Sequence, residues 1–203
     1  MPTARRRMIV GISGATGVIY GVRLLEALRR LDIETHLVVS KAGDQTRAYE
    51  TDLSAAQLRA LADVAYRPGD VGAAIASGSF RTMGMVVAPC SIRTLSEIAT
   101  GVTGTLLSRA ADVCLKERRR LVLMIRETPL HAGHLKSMLA VTEAGGVIAP
   151  PVPAFYIRPQ TLEDVVDHTV ARVLDLFDLE VPSATRWGEP PAHHTGAAAE
   201  GRE

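Results

Sequence analysis

The 203-residue chain has two cysteines, Cys90 and Cys114, too few for a disulfide framework. Aromatic residues are scarce: three Phe, four Tyr and one Trp. Neither sign of charge dominates, since 23 Lys and Arg against 22 Asp and Glu leave a net charge of +1, and nothing here calls for general affinity for nucleic acid or membrane surfaces. No apolar run approaches the ~20 residues of a membrane span. Gly11 and Ser13 interrupt the only stretch that could serve as a signal-peptide core. The expected location is the cytoplasm. What remains is an ordinary globular composition, 47% hydrophobic and 22% charged, in a length that suits one domain. Arg5-Arg6-Arg7 reads as a solvated lead-in.

Three motifs are also missing. The glycines of MIVGISGATG (Met8–Gly17) are three apart, Gly11-x-x-Gly14-x-x-Gly17, so the G-x-G-x-x-G of dinucleotide-binding folds is absent. The turn has no Lys of the kind a P-loop uses on outer phosphates. The second apolar run, Ile33–Val39, ends in Ser40-Lys41 and not in the acidic residue that would hold a ribose. A hydroxyl and a cation suit a monophosphate better. The first run, turn and following helix (Gly21, Leu24, Leu28 and Leu31 at helical spacing) place backbone N–H groups at a positive helix end. Such a turn either binds phosphate or lets helix and strand pack closely.

Apolar runs at Met8–Val10, Ile33–Val39, Met83–Ala88, Leu121–Ile125 and Val147–Ala149 predict five strands. Helical patterns lie between them, at Ala42–Glu50, Ser54–Val64, from Ser91 or Thr94 to Gly101, Leu106–Arg118 and His134–Ala144, with a last helix over Leu162–Phe177. Alternating βα units with apolar strands imply a doubly wound, Rossmann-like α/β fold, a mostly parallel sheet with helices on both faces. Residues 1–187 form the expected domain. Residues 188–203, rich in Gly, Pro, Ala and charge and containing His193 and His194, read as a disordered tail.

Ligands of such sheets sit beyond the C-terminal strand ends. The segments there are Ser13–Gly17, Ser40-Lys41, Pro89–Thr94, Arg126-Glu127 and the proline-rich loop Pro150–Pro159. Hydroxyls, cations and a carboxylate converge, which suits a phosphate-bearing ligand better than a metal. Arg109, Asp112 and Lys116, three and four apart, share a helix face. They read either as a solvated ion-paired stripe or as functional cations.

The ordered blocks GISGATG, SKA, Glu50-Thr51, SGSFRT, APCSIRTL, RAADVCLKERR, RETPL-HLKSML, PAFYIRPQ and ARVLDLF resemble the UbiX-type flavin prenyltransferases, within them the branch named for one component of the phenolic-acid or hydroxyarylic-acid decarboxylases. The resemblance spans roughly Met8–Trp187. It implies an FMN-binding homo-oligomer, typically a dodecamer. Its members transfer a dimethylallyl group from dimethylallyl monophosphate to N5 and C6 of reduced FMN, and the prenylated FMN serves a UbiD-type decarboxylase. Carried over by motif, Gly14, Ala15, Thr16, Ser40, Ser91, Ile92, Arg93, Thr94 and Arg126 would hold FMN. Lys116, Tyr156 and Arg172 would take the donor phosphate, with Arg109 and Glu127 beside it. Glu50 would approach N5, and Trp187 would close over the site. Glu50, Lys116, Glu127 and Tyr156 are thus the catalytic candidates. Thr16 stands where many members have Ser and keeps the hydroxyl.

The chemistry is consistent with those residues. Breaking an allylic C–O bond needs the leaving phosphate's charge stabilised, which Lys116, Arg109 and Arg172 could do. No D-D-x-x-D cluster is present to bridge a diphosphate through magnesium, so a metal-free monophosphate reaction is expected. Aromatic faces at Tyr156 and Trp187 would steady a developing allylic cation, and Glu127 or the released phosphate could take the C6 proton. Plain loop packing for Tyr156 and a tail anchor for Trp187 are the competing readings. Two other functions remain: a flavin-dependent Cys decarboxylase, whose P-A-S-A-N-T block is replaced here by Pro89-Cys90-Ser91-Ile92-Arg93-Thr94, or a non-enzymatic flavin carrier. His36, mid-strand, reads as a packed residue.

Overall fold

The apolar runs pair into a six-stranded sheet in a computed structural model that describes residues 5–182 and 186–188. Its strands are β1 (Arg7–Ile12), β2 (Glu34–Val39), β3 (Val64–Tyr66), β4 (Gly84–Cys90), β5 (Arg120–Ile125) and β6 (Val147–Ile148). All pairings are parallel, in the order β3-β2-β1-β4-β5-β6. The connecting helices are α1 (Val18–Arg30), α2 (Lys41–Glu50), α3 (Ala55–Ala60), α4 (Ile92–Ala99), α5 (Leu106–Lys116) and α6 (Ala132–Glu143), with α7 (Leu162–Asp175) after the last strand. The predicted tail beyond Gly188, with His193 and His194, lies outside the described residues.

The chain divides into two compact units, Met1–Val152 and Pro153–Glu203. In the first, strand alternation decides which helix each residue meets. Gly11, in the middle of β1, faces α5, where an added Cβ would stand 2.9 Å from Met85 and 3.4 Å from Leu107. Ile12 points the other way, and Gly21 of α1 approaches it so closely that a Cβ would fall 2.5 Å from the Ala88 carbonyl oxygen. One face of the sheet therefore takes α1. The other takes Leu95 and Ile98 of α4, Leu107, Ala110 and Cys114 of α5 and Val141 of α6 around Ile9, Met85, Val87, Leu121 and Leu123. Leu24 and Leu121 are fully buried; truncating either to Ala would cost about 2–5 kcal/mol.

The second unit contains a 3₁₀ turn at Phe155–Ile157 and α7. Thr161 and Asp164 form a reciprocal capping box at the start of α7. His168, Arg172 and Asp175 follow at helical spacing along one side of it.

Two expectations change, and that for His36 holds. The sheet has a sixth strand, because the helix opened by Ser54 ends at Ala60 and Val64 enters β3. This strand is held at the edge by Asp63, whose carboxylate accepts from the Thr35 N–H (2.8 Å) and hydroxyl (2.9 Å). The basic lead-in is not merely solvated: Arg5 pairs with Asp32 and Asp63, and Arg7 starts β1, pairs with Glu34 and lies 4.7 Å over the Phe80 ring. His36 is a packed residue, 3% exposed, between Tyr66 and Glu34 at 2.9 Å each. Burial lowers its pKa despite the Glu34 carboxylate.

Candidate active site

The chain winds outward to β2 and β3 and then returns to β4, so β1 and β4 are neighbours with connections departing in opposite directions. That leaves a crevice beyond their C-terminal ends. Ser13 braces it. Its N–H and its hydroxyl both donate to the Pro89 carbonyl (3.1 Å each), and its oxygen accepts from the Ser91 N–H at 2.7 Å. The Arg126 N–H donates to the Cys90 carbonyl at 3.1 Å, tying the end of β5 to the same edge.

Two helix N-termini open at this edge with hydroxyl caps. Ser40 accepts from the Gly43 N–H (2.9 Å) to start α2, and Ser91 accepts from the Thr94 N–H (3.3 Å) to start α4. Gly14 lies so close to α2 that an added Cβ would be 2.4 Å from that of Ala42. Gly14 thus meets the close-packing reading of the turn, while Thr16, Lys41, Arg93 and Arg126, in the segments after the C-terminal strand ends, are exposed. Arg93 also pairs with Glu97 at 2.9 Å.

The third helix start differs from expectation. The Gly17 and Val18 N–H groups of α1 are not available to a phosphate: the Glu50 carboxylate accepts from both, at 2.8 and 2.9 Å. Glu50 ends α2, and an acidic group at a positive helix end is favourable. The structure therefore brings Glu50 to the glycine turn, beside Gly14–Thr16, with the hydroxyl-capped starts of α2 and α4 at the same edge. Gly17, the N-cap, has φ 98°, which an L side chain rarely adopts. Glu127 lies exposed after β5, its carboxylate accepting from the Thr128 N–H at 3.0 Å.

Lys116 is elsewhere. A helix between two parallel strands runs back from their C-terminal to their N-terminal edge, and Lys116 is the last residue of α5, four before β5 begins. Its ammonium meets Glu117 and lies near Gly78, ahead of β4. Glu127 lies past the other end of β5, whose six residues at about 3.3 Å each separate the two edges by roughly 20 Å. Arg109, one helical turn into α5, pairs with Asp112 at 2.6 Å and donates to the Ala76 carbonyl at 3.2 Å. The expectation that Lys116 and Glu127 sit side by side does not hold within one chain. The same-face triplet also divides, Arg109 with Asp112 and Lys116 with Glu117.

In the second unit Tyr156 is half-exposed and meets the Trp187 ring edge to face, centroids 5.3 Å apart. The Tyr156 hydroxyl lies 3.2 Å from His168 Nε2. Arg172 pairs with Asp175, which also takes a two-point contact from Arg186 at 2.8 and 2.9 Å. Burial would raise the Asp175 carboxyl, but Arg186 and then Arg172 outweigh it and hold it below the usual range. His168 and Asp175 are partners that the sequence reading missed. Their signal was present: they sit four before and three after Arg172, on its own side of the helix.

Neither cysteine is a nucleophile. Cys90 and Cys114 are buried, and burial pushes the Cys114 thiol up to about 12 and Cys90 higher still. No helix among the described residues is long and apolar enough to cross a membrane.

The chain matches the Flavoprotein family over residues 2–174. It is 60% identical over 185 residues to the flavin prenyltransferase UbiX of Escherichia coli K12, covering 90% of this chain and 98% of that one. A crystal structure of AnUbiX (PadA1) in complex with FMN and dimethylallyl pyrophosphate superposes with a TM-score of 0.90 at 54% identity, over 91% of this chain and 98% of that one. A dodecameric FMN-dependent UbiX-like decarboxylase from Escherichia coli O157:H7 gives 0.88 at 53%, over 90% and 100%.

Proposed function

The chain belongs to the UbiX-type flavin prenyltransferase family, and from that premise we propose that its reaction takes place in a site that no single protomer completes. It transfers a dimethylallyl group to N5 and C6 of reduced FMN. The residues at the β1–β4 crevice fit that nucleotide: two hydroxyl-capped helix starts, Lys41 and Arg126 for a phosphate, and a turn that Gly14 lets pack directly against the start of α2. When bound, reduced FMN supplies the electron-rich nitrogen and carbon that the prenyl group joins. Ser40, Ser91, Ile92, Arg93, Thr94 and Arg126, with Gly14, Ala15 and Thr16, bind and orient it. Glu50, fixed by two backbone N–H groups, offers a carboxylate oxygen of set position beside the turn. Glu127 takes the C6 proton, unless the departing phosphate does so.

For the donor phosphate the first unit offers Lys116 and Arg109, and the second, taken by itself, offers Tyr156 and Arg172. Trp187, against Tyr156, supplies the aromatic face for the allylic group. The observation that carries the shared site is that Lys116 precedes β5 and Glu127 follows it, strand ends that six residues at about 3.3 Å each hold roughly 20 Å apart. A neighbouring copy of the chain can bring the Lys116 of its α5 to the crevice. Association also answers an apolar surface: α6 buries only Val141 and leaves Leu135 and Leu139, one turn apart, more than half exposed. The dodecameric relative makes a closed homo-oligomer the natural assembly.

The donor is dimethylallyl monophosphate, held by side-chain cations alone, and the product passes to a UbiD-type decarboxylase. The solved relative holds the pyrophosphate, so both donors belong in the test. Anaerobic turnover with each, in the presence of EDTA, should release inorganic phosphate from the monophosphate at the higher kcat/KM. A requirement for magnesium, or a clear preference for pyrophosphate, would refute the donor assignment. Absence of any release would refute the reaction and leave the carrier reading.

A further inference from the structure

In the second unit His168 is 8% exposed while Tyr156, which it meets, is 43% exposed. The Tyr156 oxygen stands 3.2 Å from His168 Nε2 with the two rings edge to face, 5.6 Å apart. A phenol has one proton to donate. If that proton points at His168, an approaching phosphate oxygen meets only the lone pairs of Tyr156. If His168 instead carries its own proton on Nε2, it donates to the Tyr156 oxygen, and the phenolic proton is left for the phosphate. We propose that His168 is a positioning residue for Tyr156: as the Nε2–H tautomer it donates to the phenolic oxygen and turns the only O–H towards the donor phosphate.

Two features support this arrangement. His168 is anchored on α7 one turn before Arg172, so the ring and a donor-binding cation share one rigid element. The Trp187 and His168 rings both meet the Tyr156 ring edge to face, at 88° and 86°. Burial, and then the Arg172 charge, lower the His168 pKa, so a neutral ring with one proton to place is the form present at neutral pH. The inference rests on the reading that Tyr156 binds the donor phosphate.

The experiment is a double-mutant cycle on full-length protein with dimethylallyl monophosphate as the varied substrate. His168→Phe keeps the ring edge but removes the donor, and should raise KM for dimethylallyl monophosphate about tenfold, the scale of one neutral hydrogen bond. FMN affinity should not change. His168→Gln, whose amide nitrogen reaches the same place, should restore most of the loss. In a Tyr156→Phe background, His168→Phe should have no further effect. A wild-type KM in Tyr156→Phe would overturn the role of Tyr156 itself. A raised KM there, with a wild-type KM in His168→Phe or with additive effects in the double variant, would overturn the positioning role alone. Should His168→Phe fold poorly, solid-state NMR of ¹⁵N-histidine-labelled wild-type protein decides. With dimethylallyl monophosphate bound, Nε2 of His168 should be protonated and Nδ1 bare, and the opposite tautomer contradicts the proposal.

Discussion

Mixing two inactive variants tests the shared site directly. Lys116→Ala should slow prenyl transfer roughly 10²-fold or more, as removal of one charge-stabilising group from a preorganised site does. Glu127→Gln should do likewise if the carboxylate takes the proton. Lys116 and Glu127 lie at opposite edges of the sheet, with roughly 20 Å of β5 between them, and on the proposed reading each site draws Lys116 from one protomer and Glu127 from another. In a randomly assembled oligomer of the two variants, half the protomers supply an intact Lys116 and half an intact Glu127. About a quarter of sites are then complete, by the symmetry of a closed ring of identical interfaces. The two forms would be co-expressed with different tags and purified through both. The assay is dimethylallyl-phosphate-dependent loss of reduced FMN under anaerobic conditions. A doubly substituted chain mixed with wild type should also give about a quarter of the wild-type rate, against about a half if each site were built within one chain. No recovery in the first mixture together with a half in the second would refute the geometry. Wild-type rates in Lys116→Ala at unchanged melting temperature would return α5 to an ion-paired surface.

Further outcomes follow from single contacts. Leu135→Glu with Leu139→Glu should dissociate the oligomer, seen by sedimentation, and abolish transfer while each protomer stays folded. Glu50→Ala strips the carboxylate from the Gly17 and Val18 N–H groups and should lower stability by about 1–2 kcal/mol by denaturant titration, with Glu50→Gln losing less. Gly14→Ala drives a Cβ to 2.4 Å from Ala42 and should weaken FMN binding in a fluorescence titration. Burial alone would raise the Asp63 carboxyl, but Arg5 and the Thr35 N–H and hydroxyl outweigh it and hold it at about 2, below its ordinary 3.8. Its contribution to stability is therefore present above pH 3.8 and lost as the pH falls through about 2. Asp63→Asn should accordingly lower the melting temperature at pH 7 and make little difference near pH 2.

Much of this molecule is legible in its sequence because strands covered on both faces must be apolar throughout. LVLMI at Leu121–Ile125 could be little else, and Ser54 and Ser91 mark their helices by the hydroxyl at the cap. β3 escaped because an edge strand of three half-solvated residues has no such run, and Asp63 holds it through a partner 28 residues away. The Glu50 cap on α1 was hidden for the same reason, since it joins positions 32 and 33 residues apart. The placement of Lys116 was within reach. A helix returning between parallel strands ends at the far edge of the sheet, yet residue spacing on the helix face drew attention to its neighbours instead. Tyr156 and Arg172 were named by motif, whereas their partners His168 and Asp175 were signalled only by helical spacing within the predicted last helix.

The central claim is that this chain itself joins a five-carbon unit to flavin. Purified protein, reduced FMN and dimethylallyl monophosphate, incubated together without oxygen, give the most direct test when the flavin is extracted and weighed by mass spectrometry. FMN heavier by one C₅H₈ unit, formed with one equivalent of phosphate and in the presence of EDTA, is the predicted product. Unmodified FMN recovered from protein that binds it tightly would contradict the account.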